Sequence, residues 1–294
     1  MSGTAIVVVS YGSAALVDRN LPPAALDGLD ALVVLVDNYR SARDRDEARD
    51  VARRRGWELL TPAVNLGFGA GVGLGTARAL ELGRTELLLV NPDLRATAAV
   101  LGELAAACRA DPWTMRSPRV LRPDGSVWFS GGEVAVREGT TRTAGADSTA
   151  HTGWLSGACL AVSAQLWRAC GGFDDDYFLY WEDVDLAWRV RAVGGRLEVR
   201  PDLAVEHDVG GTQGGKSLGY LRHNARNRLV FASKHLTRAD RWRWVLGSVR
   251  YAATLLRRAG ITRTQARRLT PALGALAAGT TQGIGAVLAS MLRR

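Results

Sequence analysis

The 294 residues, 47% hydrophobic and 23% charged, suffice for one large α/β unit with an appendage or for two domains, and exclude a disordered or wholly membrane-embedded chain. Of 38 basic and 29 acidic residues, ten Arg and one Asp fall from Asp240 onward, which leaves 28 of each before it and puts the whole net charge of +9 in the tail. The first 239 residues therefore carry no field that would draw a nucleic acid, and no nucleic-acid partner is expected.

The N-terminus, Met1 to Ser10, lacks the basic start and long apolar run of a signal peptide and reads as a first β-strand. Ile6 to Val9, Leu32 to Val36 and Leu87 to Val90 are short β-branched or leucine runs of the kind buried on both faces of a parallel sheet. Helical patterns near Ser41 to Arg55 and Ala70 to Leu82 separate them, so the order βαβαβ predicts an α/β, doubly wound sheet. Ligands of such sheets sit beyond the carboxyl ends of the strands, which turns Ser10-Tyr11-Gly12, Asp37-Asn38 and Asn91-Pro92-Asp93 towards one crevice.

From Trp113 to about Ala150 the texture changes to Pro, Gly and Thr, with Asp124-Gly125 as a hairpin turn, so the second half of the sheet is expected to be mixed. Trp154 to Val162 reads as a strand, and Glu182 to Val193 and Tyr220 to His235 as helices. Cys108, Cys159 and Cys170 match neither a zinc site nor a Cys-X-X-Cys pair nor a disulfide framework, which fits a reducing cytoplasm.

The chemistry concentrates between Gly171 and Arg189, where six carboxylates occupy the twelve positions from Asp174 to Asp185. Like charges that close raise one another's pKa, and a carboxylate kept partly basic can deprotonate a hydroxyl. The competing reading is an acidic loop entering a helix, its carboxylates favoured by the helix dipole and Asp185 paired with Arg189. The run Gly67-Phe-Gly-Ala-Gly-Val-Gly-Leu-Gly75 lacks the Gly-X-Gly-X-X-Gly spacing and follows the wrong strand for a dinucleotide fingerprint.

Gly172-Phe-Asp174 followed by Tyr180-Trp-Glu-Asp-Val-Asp-Leu-Ala-Trp-Arg189 resembles the acceptor-side signature of family-2 glycosyltransferases with the GT-A fold. Val8 to Tyr11 resembles that family's opening strand, Val36-Asp-Asn38 its base-binding turn, Asn65 to Gly71 its glycine loop, and Val90-Asn-Pro-Asp93 its metal motif, so the likeness spans residues 5 to about 235. The resemblance implies that Asp183 is the catalytic base, with Glu182 and Asp185 in support. It implies a donor site of Ser10, Tyr11, Gly12, Asp37, Asn38, Asn65, Gly67, Phe68, Gly69, Asn91 and Asp93, and an acceptor side of Trp154, Ser156, Gly157 and Asp174.

A divalent cation, Mg²⁺ or Mn²⁺, would be held by Asp93 and His207. Asn91 stands where many relatives carry Asp, a form that rhamnosyltransferase-like sequences share. Hence the implied activity is an inverting transfer, with dTDP-L-rhamnose or another dTDP- or UDP-sugar as donor and a glycan or lipid-linked hydroxyl as acceptor. Residues 1–239 would be the GT-A nucleotide-sugar-binding and catalytic domain. A nucleotide-sugar-binding module without turnover and a membrane adaptor are the rival readings. Asp37 could equally cap a helix beside Asn38, Ser156 could shape a turn, and His207 could be structural.

Residues 240–294 form a basic helical region in which Arg241 to Arg258 reads as one amphipathic helix. Its Arg flanks with Trp242 and Trp244 suit the headgroups of an anionic membrane, on the inner face of the plasma membrane. Packing on the parent domain or in a homodimer explains it equally. Leu269 to Leu292 is uncharged and long enough to span a bilayer, but Pro271, Gln282 and its Gly and Thr residues favour lying on a surface.

Overall fold

The structure is a computed structural model describing residues 3–143, 153–208, 217–261 and 266–292. Residues 144–150 of the Pro/Gly/Thr-rich stretch, and 262–265, 293 and 294 of the tail, lie outside the described residues. The chain forms two compact units: Met1–Glu133, Thr143–Phe178 and Glu182–Thr212 make the first, and Val134–Arg142, Leu179–Trp181 and Gln213–Arg294 the second.

In chain order the elements are β1 (Thr4–Ser10), α1 (Ala14–Asn20), β2 (Ala31–Asp37), α2 (Ala42–Arg55), β3 (Glu58–Leu60), α3 (Phe68–Glu81), β4 (Glu86–Val90), β5 (Leu94–Arg95), α4 (Ala98–Ala110), β6 (Thr114–Leu121) and β7 (Val127–Phe129). They continue with β8 (Gly132–Ala135), β9 (Thr140–Thr143), β10 (Cys159–Ser163), α5 (Ala164–Cys170), α6 (Glu182–Ala192), β11 (Arg196–His207), α7 (Leu218–His235), α8 (Arg238–Leu246), α9 (Ser248–Arg258) and α10 (Ala266–Leu292). The main sheet runs β3-β2-β1-β4-β10-β6-β11-β5, with β7 added to β6, while β8 and β9 pair separately.

β1 is parallel to β2 and β4, and its seven residues are all buried, as a β-branched central strand should be. β10 enters antiparallel between β4 and β6, so the sheet is mixed, and Val90 at the carboxyl end of β4 pairs with Cys159 at the amino end of β10. The Asp124-Gly125 turn joins β6 to β7, with Gly125 at φ 80°.

Alternation along β1 sorts the core into two layers. Ile6 and Val8 pack with Val17 of α1, Val51 of α2 and Leu101 of α4; Ala5, Val7 and Val9 pack with Val72 of α3, Leu166 of α5 and Leu186 of α6. The glycine run differs from the sequence reading, which began the helix near Ala70. The helix starts at Phe68, so Gly69 to Gly75 lie in its first turns. Packing is the reason, since a Cβ on Gly75 would stand 2.5 Å from Val7 Cγ1 and one on Gly71 2.9 Å from Val9 Cγ1. The strand expected from Trp154 is confined to its second half; Trp154 makes only an isolated bridge to Gly132.

The second unit is mostly helical, and it also holds the end of β8 and most of β9. Packing joins α7 to the helices after it, so this unit begins ahead of residue 240, the division expected from the charge pattern. The single amphipathic helix expected from Arg241 to Arg258 is two helices, because the chain breaks at Gly247. The break turns Trp244 inward: it is fully buried, stacks on Phe231 at 5.8 Å and donates its indole N–H to the Val136 carbonyl at 2.7 Å.

Arg228, also buried, lies over the Trp244 and Tyr251 rings and donates to the carbonyls of Gly139 and Trp244. Burial pushes its guanidinium down to about 10, which ring faces and carbonyls offset in place of a carboxylate. Asn227 holds Tyr180 and Trp181, both left-handed at φ 69° and 75°, by donating to the carbonyls of Leu179 and Tyr180 at 2.9 and 2.8 Å. Two bulky residues in that region are costly, and these bonds sustain them.

Candidate active site

The strand ends of the first unit supply the donor half. Ser10 and Asp37 are register partners on β1 and β2, and Asn38 N–H donates to the Ser10 carbonyl at 2.8 Å. The Ser10 hydroxyl is engaged locally, 3.1 Å from Ser13 Oγ and accepting the Ser13 N–H. Tyr11 beside it is 53% exposed, and Gly12 at φ 64° lies against the Arg40 side chain. Asp37 is buried; one carboxylate oxygen takes the Arg45 guanidinium at 2.7 Å, and the other, Oδ1, has no hydrogen-bond partner among the described residues. The cap of α2 is Ser41, not Asp37. Arg45 was not singled out in the sequence, although its position eight residues past a strand-end Asp, one turn into the next helix, was the available signal.

Asn38 ties this edge to the glycine segment: its Oδ1 accepts the Leu66 N–H at 2.8 Å and its amide donates to the Gly67 carbonyl at 2.7 Å. Asn65 Oδ1 accepts the Gly67 N–H at 2.9 Å, closing a local turn. Gly67 takes φ 84°, and the Phe68 N–H donates to the Phe178 carbonyl at 2.8 Å. A Cβ on Gly67 would stand 2.2 Å from that carbonyl oxygen, so glycine is required for the segment to meet the acidic stretch. Phe68 packs on Phe173 at 5.8 Å, and Gly69 lies against Phe173 and Glu182.

The acidic cluster divides by environment. Asp174 accepts the Asp176 N–H in a loop turn. Asp185 is fully buried between Tyr177 Oη at 3.1 Å and Arg189 Nε at 2.7 Å, the pairing that the i, i+4 spacing predicts, and so acts as a brace for α6. Glu182 is buried with Oε2 unpartnered among the described residues; burial and the neighbouring Asp183 push its carboxyl well above the usual range.

Asp183 is half-buried at the start of α6. Burial raises its carboxyl to about 6, against the pull of the Gly157 and Val184 N–H groups at 3.0 and 2.8 Å. A carboxylate so poised can accept a hydroxyl proton near neutral pH. Gly157 is thus a direct partner of the base, and a Cβ there would meet Phe68 at 3.3 Å and Asp183 at 3.6 Å. Ser156 Oγ accepts the Ala158 N–H at 3.3 Å, and Trp154 packs on Phe129 at 4.8 Å.

The same segment reaches the third strand end, because Asn91 N–H donates to the Ala158 carbonyl at 2.9 Å. Asp93 and Asp183 therefore belong to one hydrogen-bonded assembly, joined through consecutive residues Ala158 and Gly157. Asn20, which carried no signal in the sequence, pins the turn by donating to the Pro92 carbonyl at 2.9 Å. β5 pairs with β11, and Asp208 N–H donates to the Asp93 carbonyl, which brings His207 Nε2 within 2.9 Å of Asp93 Oδ1.

Both side chains are buried, and the His207 ring stands edge-on to Trp128 at 4.8 Å. One carboxylate and one imidazole converging on one point fit a cation such as Mn²⁺. No group of three or more His, Cys, Asp or Glu is gathered among the described residues, so diphosphate oxygens and water would have to complete the shell.

No protein-family model matches the chain. It is 27% identical over 298 residues to the N-acetylglucosaminyl-diphospho-decaprenol L-rhamnosyltransferase of Mycobacterium tuberculosis, covering 90% of this chain and 96% of that protein. It is 25% identical over 198 residues to the low-salt glycan biosynthesis hexosyltransferase Agl10 of Haloferax volcanii, covering 63% and 61%. Among solved structures, the Pyrobaculum calidifontis mannosyltransferase in complex with GDP-Man and Mn²⁺ superposes with a TM-score of 0.56 at 17% identity, over 99% of this chain and 86% of that one. TarS 1–349 of S. aureus gives 0.56 at 14%, over 97% and 83%.

The fold is that of the GT-A glycosyltransferases, and glycosyl transfer is the activity of this class of chain. Within the class its homologues are named rhamnosyltransferase and hexosyltransferase, and the chain is rhamnosyltransferase-like.

Proposed function

We propose that this chain is an inverting rhamnosyltransferase that moves L-rhamnose from dTDP-L-rhamnose to a hydroxyl of a lipid-linked N-acetylglucosaminyl diphosphate acceptor. The observation that carries the reading is Asp183, a carboxyl raised to about 6 and aimed by the Gly157 amide. In a single displacement it takes the acceptor hydroxyl proton as that oxygen attacks the anomeric carbon and the nucleoside diphosphate departs. Burial and the neighbouring Asp183 raise the Glu182 carboxyl well above its usual range, which disfavours a second negative charge beside the base.

Asp37 Oδ1, buried and without a partner among the described residues, is an acceptor suited to the imide N–H of thymine or uracil, with Arg45 fixing the other oxygen. The Asn38-clasped segment from Asn65 to Gly69 lies between this base subsite and Asp183, where a sugar diphosphate belongs. A divalent cation held by Asp93 and His207 would supply positive charge to the leaving diphosphate. Similarity to a transferase named for a decaprenol-linked acceptor supports the acceptor class.

A thermal-shift screen of dTDP-L-rhamnose, UDP-sugars and GDP-mannose with Mn²⁺ or Mg²⁺, followed by a transfer assay, tests the proposal. The dTDP sugar should raise the melting temperature and support transfer, and Asp183→Asn should keep the shift while losing turnover. Stabilisation by GDP-mannose alone would refute the donor; turnover in the variant would refute the base.

A further inference from the structure

The second compact unit presents a surface that its own packing does not use. α8 and α9 bury Trp244, Tyr251 and Leu255 but leave Trp242 42%, Leu246 81% and Val249 83% exposed, with the exposed Arg243, Arg250 and Arg257 on the same two helices. From Arg238 to Arg258 six Arg stand against one Asp, and that residue, Asp240, is already paired with Arg243. α10 has no charged residue from Leu269 to Leu292. It buries the row Ala272, Leu276, Gly279, Gly283 and Val287 and leaves Leu273, Leu288 and Leu292 outside.

Large aliphatic and indole side chains held out in water, with arginines for neighbours and almost no carboxylate, complement an anionic lipid surface: phosphates meet the guanidiniums and the glycerol layer takes the apolar groups. We propose that this unit docks on an anionic bilayer, with Trp242, Leu246 and Val249 entering the headgroup layer and α10 lying along the surface rather than crossing it.

Length alone would let α10 span, since Arg267–Leu292 is 26 residues long and contains an 18-residue stretch with a mean hydropathy of 1.4. Packing decides against it. A Cβ on Gly279 would stand 2.1 Å from the Arg222 carbonyl oxygen, and one on Gly283 2.8 Å from that of Arg226, so α10 is in backbone contact with α7. A spanning α10 would drag Arg222, Arg226 and Lys234 of α7 towards hydrocarbon, which charged side chains resist. Lying in the interface keeps those charges among headgroups.

The inference stands apart from the transferase reading, because binding is measured without turnover. The full chain is floated with vesicles of phosphatidylcholine alone and of phosphatidylcholine with about a third phosphatidylglycerol. Binding should need the anionic lipid and be released by salt. Each arginine near the surface is worth roughly fivefold in partitioning, so replacing Arg243, Arg250 and Arg257 together by Gln should weaken binding about a hundredfold.

Leu246→Glu with Val249→Glu should abolish it, with melting temperature and donor binding unchanged. Equal binding to neutral vesicles, binding by the Leu246/Val249 variant, or retention through salt and alkaline carbonate would each overturn the proposal. So would a dimer in light scattering that this same variant dissociates, which would identify a second copy as the occupant.

Discussion

Replacing Asp183 by Asn removes the charge and nearly preserves the shape, so activity and stability should move in opposite directions. Burial lifts the Asp183 carboxyl from 3.8 to about 6. The folded chain then keeps a proton that the unfolded chain has released, so stability falls as pH rises from about 4 to about 6 and stays lower above that. Fully felt, the shift is worth roughly 3 kcal/mol, less for a half-buried group.

Weakening the Gly157 and Val184 hydrogen bonds offsets part of the gain, at about 1 kcal/mol each. The Asn variant should therefore melt at or a few degrees above the parent at pH 7, with the difference closing near pH 4. Transfer depends on the ionised form, about nine-tenths populated at pH 7 and just under a tenth at pH 5, so kcat/KM of the parent should fall about tenfold over that interval. The limb belongs to the Glu182–Asp183 pair.

Nucleoside diphosphate release from pH 5 to 8, beside melting curves in the same buffers, checks both halves. A flat profile, a variant keeping more than about a hundredth of the parent rate, or a variant clearly less stable at pH 7 would refute the reasoning.

Three further outcomes follow from contacts already described. Gly67→Ala meets both φ 84° and the Phe178 carbonyl 2.2 Å away, so it should cost at least about 2 kcal/mol in urea unfolding and weaken nucleotide-sugar binding. Asn38→Ala removes both bonds to the glycine segment and leaves buried groups unpaired, which should cost about 2–4 kcal/mol and raise the donor KM more than it lowers kcat. Asp93→Asn and His207→Gln should each reduce the Mn²⁺-dependent part of nucleoside diphosphate affinity in calorimetry while leaving the metal-free part; unchanged Mn²⁺ dependence in both would remove them as ligands.

Much of the first unit is legible in the chain because its signals are local. β-branched runs such as Ala5 to Val9 can satisfy their apolar surface only between two layers, and polar strand ends at Ser10, Asp37 and Asn91 mark the open edge of the sheet. Asp185 with Arg189 is equally local, since one helical turn puts them face to face. The cluster's division of labour was not legible. Asp183 and Asp185 are two positions apart, yet one meets Gly157 and the other Tyr177 and Arg189, and burial with those partners sets each role.

The amino-acid sequence by itself determined the α/β order, the strand ends that carry polar groups, the crowding of carboxylates before α6 and the concentration of arginine in the tail, because each depends on neighbours within a few residues. Tertiary structure alone decided that Asn91 and Asp183 meet through Ala158 and Gly157, that Arg45 engages Asp37, that helix α3 starts at Phe68, and that Gly247 splits the tail helix and turns Trp244 inward. Those outcomes follow from close approach between distant segments, where steric fit and the satisfaction of buried polar groups choose among conformations that local propensity leaves nearly equal in energy.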